Sequence, residues 1–337
     1  MNWTQFFEEL KADKVQSLYL FTGPEAYVKR SALEKLREKL LPPGLEALNE
    51  SVLEDATAQA IIEACETLPV MADRRLVVAR DYAPLLPGKA KAEAEESERL
   101  CTWLPTAPES CCLVFLMRDA FDGRKKLAAQ LVKLGAQVAF DPLTDPQLEK
   151  WLDSQARALG GAIEPAAARQ LAFLAGRDLT RLAGELEKLC AYAGPGKAVN
   201  RAMVEELVPP SLGATVFQMI DSLMDGQTAR AFTLVKTMLR AGENRMGILY
   251  MLTRQMRLLT HMKLLKNQGL ALPQIEKRLS LNHYAAARME RQMARFTQTQ
   301  LESAYRACVE ADYAIKSGKA RDEAALDQLL LGLRRQA

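Results

Sequence analysis

Histidine is scarce in this chain of 337 residues, which contains only His261 and His283. Both stand among basic or polar residues of helical patterns, so we expect them to have surface or helix-packing roles. The sequence also has no Ser/His/Asp set and no cluster of metal-ligating residues, which leaves few carriers for hydrolytic chemistry. We therefore predict no catalytic residue, no metal site and no cofactor.

The six cysteines include no C-x-x-C pair, which argues against a zinc site, a haem attachment site and a disulfide framework. Adjacent Cys111 and Cys112 lie in an apolar run, and we expect them to be core residues on either face of a strand. No apolar run approaches the roughly 18 residues that a membrane helix needs. The first residues, MNWTQFFEELKADK, do not have the apolar segment of a signal peptide. We expect a soluble, cytoplasmic protein.

A glycine turn between an apolar run and a helical pattern stands out in SLYLFTGPEAYVKR, residues 17–30. A strand that leads into a helix through such a turn has the geometry of a phosphate-binding loop. On the template G-x-x-x-x-G-K-[ST], Gly23 and Lys29 match. Val28 replaces the second glycine, and Arg30 replaces the hydroxyl residue that would bind Mg²⁺. The position fits a nucleotide site, but the residues are those of a degenerate loop.

An active site of this kind also needs an acidic pair after a strand, to hold Mg²⁺ and orient water. The candidate segments here are Arg80-Asp81-Tyr82 and Arg118-Asp119-Ala120, and neither contains such a pair. We expect that the chain has no intrinsic ATPase activity. Two alternatives remain open at this stage: a Gly-Pro turn placed by chance in an α/β domain, and an active ATPase with an atypical loop based on Gly23 and Lys29.

Apolar strands alternate with helical patterns up to about residue 141, which predicts a parallel sheet with right-handed crossovers. We predict strands at residues 18–21, 51–53, 75–79, 111–117 and 137–140. We predict helices at residues 3–10, 24–40, 56–67, 90–103 and 121–134. This part of the chain reads as an α/β domain over residues 1–141.

Beyond the prolines at 142 and 146 no strand pattern recurs, and the rest of the chain is predicted to be helical. Residues 142–209 read as a small helical module, and the Pro209-Pro210 pair marks the next junction. The small module ends with a short helix predicted at 201–207. Residues 210–337 form the third part, with helices predicted at 246–266, 272–279, 284–293, 299–315 and 323–335 among others. The predicted architecture is therefore α/β plus all-α.

Charge is distributed unevenly between the front and the rear of the chain. Residues 211–337 carry 19 Lys or Arg against 11 Asp or Glu, a balance of +8, whereas residues 1–210 have a balance of −5. A basic rear is compatible with a nearby polyanion, although scattered Lys and Arg are also typical of a solvated helical face.

Three short segments carry a resemblance that spans essentially the whole chain: LYLFTG at 18–23, GRDL at 176–179 continuing to ELEKL at 185–189, and AD at 311–312 with IKSG at 315–318. The order and spacing of these segments resemble those of the delta subunit family of bacterial DNA polymerase III. This family is the clamp-opening member of the AAA+ clamp loader. The resemblance implies an AAA+-like domain, a small helical lid and a C-terminal helical collar.

The resemblance also implies partners and a binding site. In this family two adjacent apolar side chains in the first domain enter a pocket on the sliding clamp, the beta subunit. The matching stretch is TLPVMADRR at residues 67–75, so Val70 and Met71, with Leu68 beside them, are the candidates. The alternative is that Val70 and Met71 are ordinary core residues before a strand. The other implied partners are the tau/gamma and delta prime subunits of the loader and primer-template DNA.

The implied function is mechanical: the chain binds and opens the sliding clamp within the polymerase holoenzyme, and nucleotide is bound by sibling subunits. Lys316, Lys319 and Arg321 are the candidates for facing DNA, since phosphate contacts by basic residues are independent of base sequence. A solvated loop is the alternative for these three. A stand-alone helical DNA-binding regulator is the second rival function, beside the atypical ATPase.

Overall fold

A computed structural model describes residues 1–87, 91–118, 121–281 and 283–334. The chain forms two compact units, Met1–Pro142 and Leu143–Ala337. The first is an α/β unit and the second is built mainly of helices. The finer division at residues 141/142 and 209/210 stays a prediction.

The described part of the first unit contains a five-stranded parallel sheet with the order β2-β3-β4-β1-β5. Its strands are β1 Leu18–Thr22, β2 Glu50–Glu54, β3 Arg75–Arg80, β4 Cys111–Leu116 and β5 Ala136–Ala139. β1, β3 and β4 are almost wholly buried because helices cover both faces of the sheet. The parallel order brings the carboxyl ends of the strands to one edge, where the segment with Gly23 leaves β1.

Five described helices of the first unit correspond to predicted ones, and the short helix α3 was not predicted. Their bounds are α1 Trp3–Lys11, α2 Ala26–Leu40, α3 Glu46–Asn49, α4 Ala58–Glu66, α5 Lys91–Trp103 and α6 Lys126–Leu134. Cys111 and Cys112 are both buried on β4. The predicted helix start at residue 90 and the prediction for Asp119 and Ala120 lie outside the described residues.

The prediction of a helix from residue 121 was wrong, since α6 begins only at Lys126. The five residues before it form a turn around Asp122, whose carboxylate accepts from the backbone N–H of Arg124. The Lys125 N–H bonds to the Asp122 carbonyl in the same turn. The apolar Phe121 packs against the core from this turn and does not extend the helix.

The second unit contains helices over most of its described length. Their bounds are α7 Asp145–Ala158, α8 Pro165–Ala175, α9 Leu179–Ala193, α10 Arg201–Leu207, α11 Leu212–Met224, α12 Thr228–Arg240, α13 Arg245–Asn267, α14 Leu272–Leu279, α15 His283–Ala294, α16 Gln298–Lys316 and α17 Asp322–Arg334. Residue 335, where the last predicted helix ends, lies outside the described residues. One extended core joins α11 to α17, and methionines such as Met219 and Met256 are buried in it.

The expectation that no strand recurs after residue 142 was wrong. Two strands of two residues each, β6 Ala162–Ile163 and β7 Ala198–Val199, pair in parallel within the second unit. A strand of two residues is too short to produce the alternation of apolar and polar residues that identifies strands in a sequence. No helix in the described ranges combines the length and the apolar character needed to cross a bilayer.

Candidate functional site

The loop after β1 is closed by contacts with the segment that follows β5. The Glu25 N–H donates to the Phe140 carbonyl oxygen at 3.0 Å, and α2 begins at the next residue. Gly23 has φ +101°, and a Cβ at this position would overlap the Phe140 carbonyl. In a phosphate-binding loop the backbone N–H groups point at the anion. Here the Glu25 N–H is already used by the protein itself.

Lys29 is the residue that matched the phosphate-binding lysine, and it is directed into the protein. Lys29 is only 5% exposed. The ammonium Nζ lies 2.6 Å from the Gly23 carbonyl oxygen, 2.7 Å from that of Met117 and 3.1 Å from that of Arg118. Since an ammonium has three N–H donors, these three carbonyls match its donor capacity. Lys29 therefore connects the loop after β1 to the end of β4.

The other residues of the degenerate loop have separate environments. Val28 is buried, and the exposed Arg30 has its guanidinium 6.0 Å from the centre of the Tyr27 ring. A depression of about 250 Å³ lies beside them and includes Lys29 and Asp81 in its lining. Its arginines are Arg30, Arg80 and Arg118.

Asp81 follows β3 at the position where an acidic pair would hold Mg²⁺. Its Oδ1 atom accepts from the backbone N–H of Arg118 at 2.6 Å, and its Oδ2 atom lies 3.5 Å from the Arg118 Nε atom. Asp81 therefore joins the ends of β3 and β4. The Asp81 carboxylate and the Lys29 ammonium therefore both bond to the same segment of the protein, Met117 and Arg118 at the end of β4.

The predicted clamp-binding residues share one loop, between α4 and β3, and their apolar side chains project into solvent. Leu68 is 76% exposed, Val70 44% and Met71 85%. The alternative that Val70 and Met71 are core residues is therefore wrong for Met71, and Val70, at 44% exposed, is not buried in the core either. Large apolar side chains at such exposure are typical of binding surfaces when they occur together.

Met71 also has an unfavourable backbone conformation, with φ +52°. Five non-glycine residues in the described part of the chain have positive φ, and the other four are Asp or Ser. Asp tolerates this region because its short side chain bonds locally, whereas a long apolar side chain does not. The loop therefore holds an exposed methionine in a strained backbone conformation, and such strain is common at binding sites.

Asn49 fixes this loop, and sequence reasoning missed it. The side chain is fully buried at the end of α3. Its Oδ1 atom accepts from the Val70 N–H at 2.7 Å, and its Nδ2 atom donates to the Val70 carbonyl at 2.9 Å and to the Leu45 carbonyl at 3.1 Å. This bidentate contact holds the backbone of Val70 between the exposed Leu68 and Met71. A single polar residue before a weak strand gives no signal of this contact in the sequence.

Replacing Asn49 with alanine is expected to destabilise the first unit by about 2 kcal/mol, because buried polar groups of Leu45 and Val70 lose their partner. The measurement is denaturant unfolding monitored by circular dichroism. Gln59→Ala is the control, since Gln59 is an exposed amide on α4 whose side chain donates to Glu63 on the same helix. A loss no larger than that of the control would contradict the role of Asn49.

The predicted DNA-facing residues lie together at the turn between α16 and α17, and all three are exposed. Lys316 forms an ion pair with Asp312 at 2.8 Å, one turn back on α16. The Lys319 Nζ atom lies 5.1 Å from the centre of the ring of Tyr313. The turn thus presents Lys316, Lys319 and Arg321 to solvent beside an exposed aromatic ring.

The chain matches two protein-family models, one in each of its units. A family model described as DNA polymerase III, delta subunit, matches residues 19–140, and one described as the C-terminal domain of the same subunit matches residues 213–333. The chain belongs to the DNA polymerase III delta subunit family. The architecture expected from the sequence, α/β plus all-α, is confirmed for this delta-family chain.

Two curated relatives and one solved structure agree with this. The DNA polymerase III subunit delta of Bacillus subtilis is 25% identical over 332 residues, which are 97% of this chain and 95% of the relative. The subunit delta of Escherichia coli is 23% identical over 262 residues, 76% of this chain and 74% of the relative. The structure of the Bacillus subtilis DNA clamp loader delta protein has a TM-score of 0.67 at 23% identity, with 99% of both chains covered.

Proposed function

We propose that the chain is the clamp-loader subunit that binds the sliding clamp and opens it for loading onto primed DNA. The observation that carries the proposal is the α4–β3 loop, where Leu68 and Met71 project into solvent from a backbone that Asn49 holds in place. Buried apolar anchors dominate the energy of protein interfaces. A rigid loop presents such anchors without an ordering cost on binding.

The three parts of the chain have different roles in this proposal. Residues 1–141 bind the clamp, residues 142–209 form the lid, and residues 210–337 form the collar that holds the subunit beside the tau/gamma and delta prime subunits. Lys316, Lys319 and Arg321 face primer-template DNA in the assembled loader. Exposed cations suit this role because their phosphate contacts do not depend on base sequence.

The closed loop around Lys29 supports a mechanism without nucleotide in this subunit. The Lys29 ammonium binds three carbonyls, and the Glu25 N–H binds the Phe140 carbonyl. The energy for clamp loading then comes from ATP bound to other subunits. The delta-family chain itself opens one interface of the clamp ring.

The test is equilibrium binding of the isolated chain to a sliding clamp, measured by surface plasmon resonance with and without ATP. We expect one chain to bind one clamp interface with the same affinity in both conditions. A parallel titration with labelled ATP is expected to show no saturation at micromolar concentrations. Absence of clamp binding contradicts the proposal. Micromolar ATP binding supports the atypical ATPase instead, and tight duplex binding without clamp binding supports the DNA-binding regulator.

A further inference from the structure

An arginine-lined cavity in the second unit has no part in the function proposed above. The cavity has a volume of about 480 Å³ and lies between α10, α11 and α15. Its basic residues are Arg201, Arg288, Arg291 and Arg295. A second cavity of about 230 Å³ is lined by three of these arginines, Arg201, Arg288 and Arg291, together with Arg169 from α8. The two cavities therefore share one arginine wall.

The carboxylates on the wall of the larger cavity already have partners. Asp225 forms an ion pair with Arg295 at 2.6 Å. Asp221 accepts a hydrogen bond from the Gln292 Nε2 atom at 2.9 Å, and burial raises the pKa of its carboxyl. Asp221 also attracts Arg288, but the lining of the larger cavity has only these two acids against four arginines.

Of the five arginines that line the two cavities, Arg169, Arg201 and Arg295 form ion pairs within the described part of the chain, and Arg288 and Arg291 do not. Arg288 is held in place by apolar and neutral contacts, since its guanidinium stacks 3.5 Å from the centre of the Phe173 ring and donates to the Gln170 Oε1 atom at 2.8 Å. Burial, followed by the nearby charges of Arg201 and Arg291, lowers the pKa of Arg288. An anion in the cavity would relieve the repulsion among these guanidiniums.

We propose that this arginine wall binds a ligand with two or more linked phosphate groups. The planar guanidinium matches phosphate oxygens with paired hydrogen bonds. A single carboxylate would neutralise one arginine, whereas linked phosphates extend along the wall that the two cavities share. The ligand is either a free polyphosphate or the phosphodiester backbone of a single strand. This proposal does not depend on the clamp-opening role, because none of its residues lies in the first unit.

The experiment uses the full chain and two probes at a salt concentration of about 50 mM, where phosphate contacts are strong. Tripolyphosphate is titrated by isothermal calorimetry, and a fluorescent oligothymidylate of about 12 nucleotides is titrated by anisotropy. The variants are Arg291→Gln and Arg288→Gln/Arg291→Gln. Arg306→Gln is the matched control, since Arg306 is an exposed arginine on α16 outside the lining of both cavities.

We expect at least one probe to bind, with an affinity about tenfold lower in the double variant and unchanged in the control. If only tripolyphosphate binds in this way, the ligand is a free polyphosphate. If the oligothymidylate binds in this way, the ligand is a nucleic-acid backbone. In that case the slope of log affinity against log salt concentration is expected to fall in magnitude by about one for each arginine removed. Arg291 is exposed, so Arg291→Gln keeps the test valid if the double variant does not fold. Absence of binding by both probes, or equal affinity in the arginine variants and Arg306→Gln, overturns the proposal.

Discussion

Replacing Lys29 with alanine is expected to lower the free energy of unfolding of the first unit by about 2 to 4 kcal/mol, because three carbonyl oxygens lose a charged donor. The lysine is nearly buried, and its ammonium joins Gly23 to Met117 and Arg118 across the end of the sheet. The measurement is denaturant unfolding followed by tryptophan fluorescence in a Trp151→Phe background. In this background the remaining tryptophans, Trp3 and Trp103, both report on the first unit.

Lys35→Ala is the matched control for Lys29→Ala. Lys35 lies on the same helix, α2, but its side chain is exposed and pairs with Glu38 on the surface. Its removal is expected to change stability by less than about 0.5 kcal/mol. If Lys29 instead bound phosphate, the opposite outcome is expected for Lys29→Ala, namely unchanged stability and loss of ATP affinity. The two quantities measured together therefore separate a structural lysine from a catalytic one.

The double change Leu68→Ala/Met71→Ala is expected to lower clamp affinity by about a hundredfold or more, since burial of one such side chain is worth about 1.5 to 3 kcal/mol. Stability should stay within about 0.5 kcal/mol of the wild type, because both side chains are exposed in the free chain. Affinity is measured by surface plasmon resonance on immobilised clamp. Val132→Ala is the control, an exposed apolar residue on α6 of the same unit. Unchanged affinity in the folded double variant would place the clamp-binding site elsewhere.

Met71→Gly separates the binding role of this residue from its role in folding. Glycine adopts positive φ without a steric penalty, so we expect the variant to be as stable as the wild type or up to about 1 kcal/mol more stable. Clamp affinity should fall at the same time because the side chain is lost. A variant that loses stability as well as affinity would show that Met71 packs against its own fold, contrary to its 85% exposure.

The sequence was sufficient to predict the elements whose pattern is local. The apolar runs at β1, β3 and β4 are buried strands, and the helical periods of the second unit correspond to α7 to α17. The β6–β7 pair was missed because a strand of two residues has no periodicity. The start of α6 was placed too early because the apolar Phe121 continued the helical pattern into a turn.

The candidate site was only partly predictable, because its decisive contacts join distant parts of the chain. Gly23, Val28, Lys29 and Arg30 identify a degenerate loop from sequence alone. The carbonyl of Met117 that binds Lys29 lies 88 residues further along the chain, and no local pattern indicates that contact. Similarly, Asn49 and Val70 are 21 residues apart, and only the fold brings the amide to the loop.

The contact between Glu25 and Phe140 has a consequence for attempts to re-engineer this subunit. Writing the consensus residues back at Val28 and Arg30 would restore the motif but leave two contacts unchanged, the bond from the Glu25 N–H to the Phe140 carbonyl and the bonds of the Lys29 ammonium. We therefore expect these two substitutions alone not to produce ATP binding. The closed form of this loop thus depends on carbonyl oxygens from two distant segments, at Phe140 and at Met117 and Arg118, as well as on the letters of the motif.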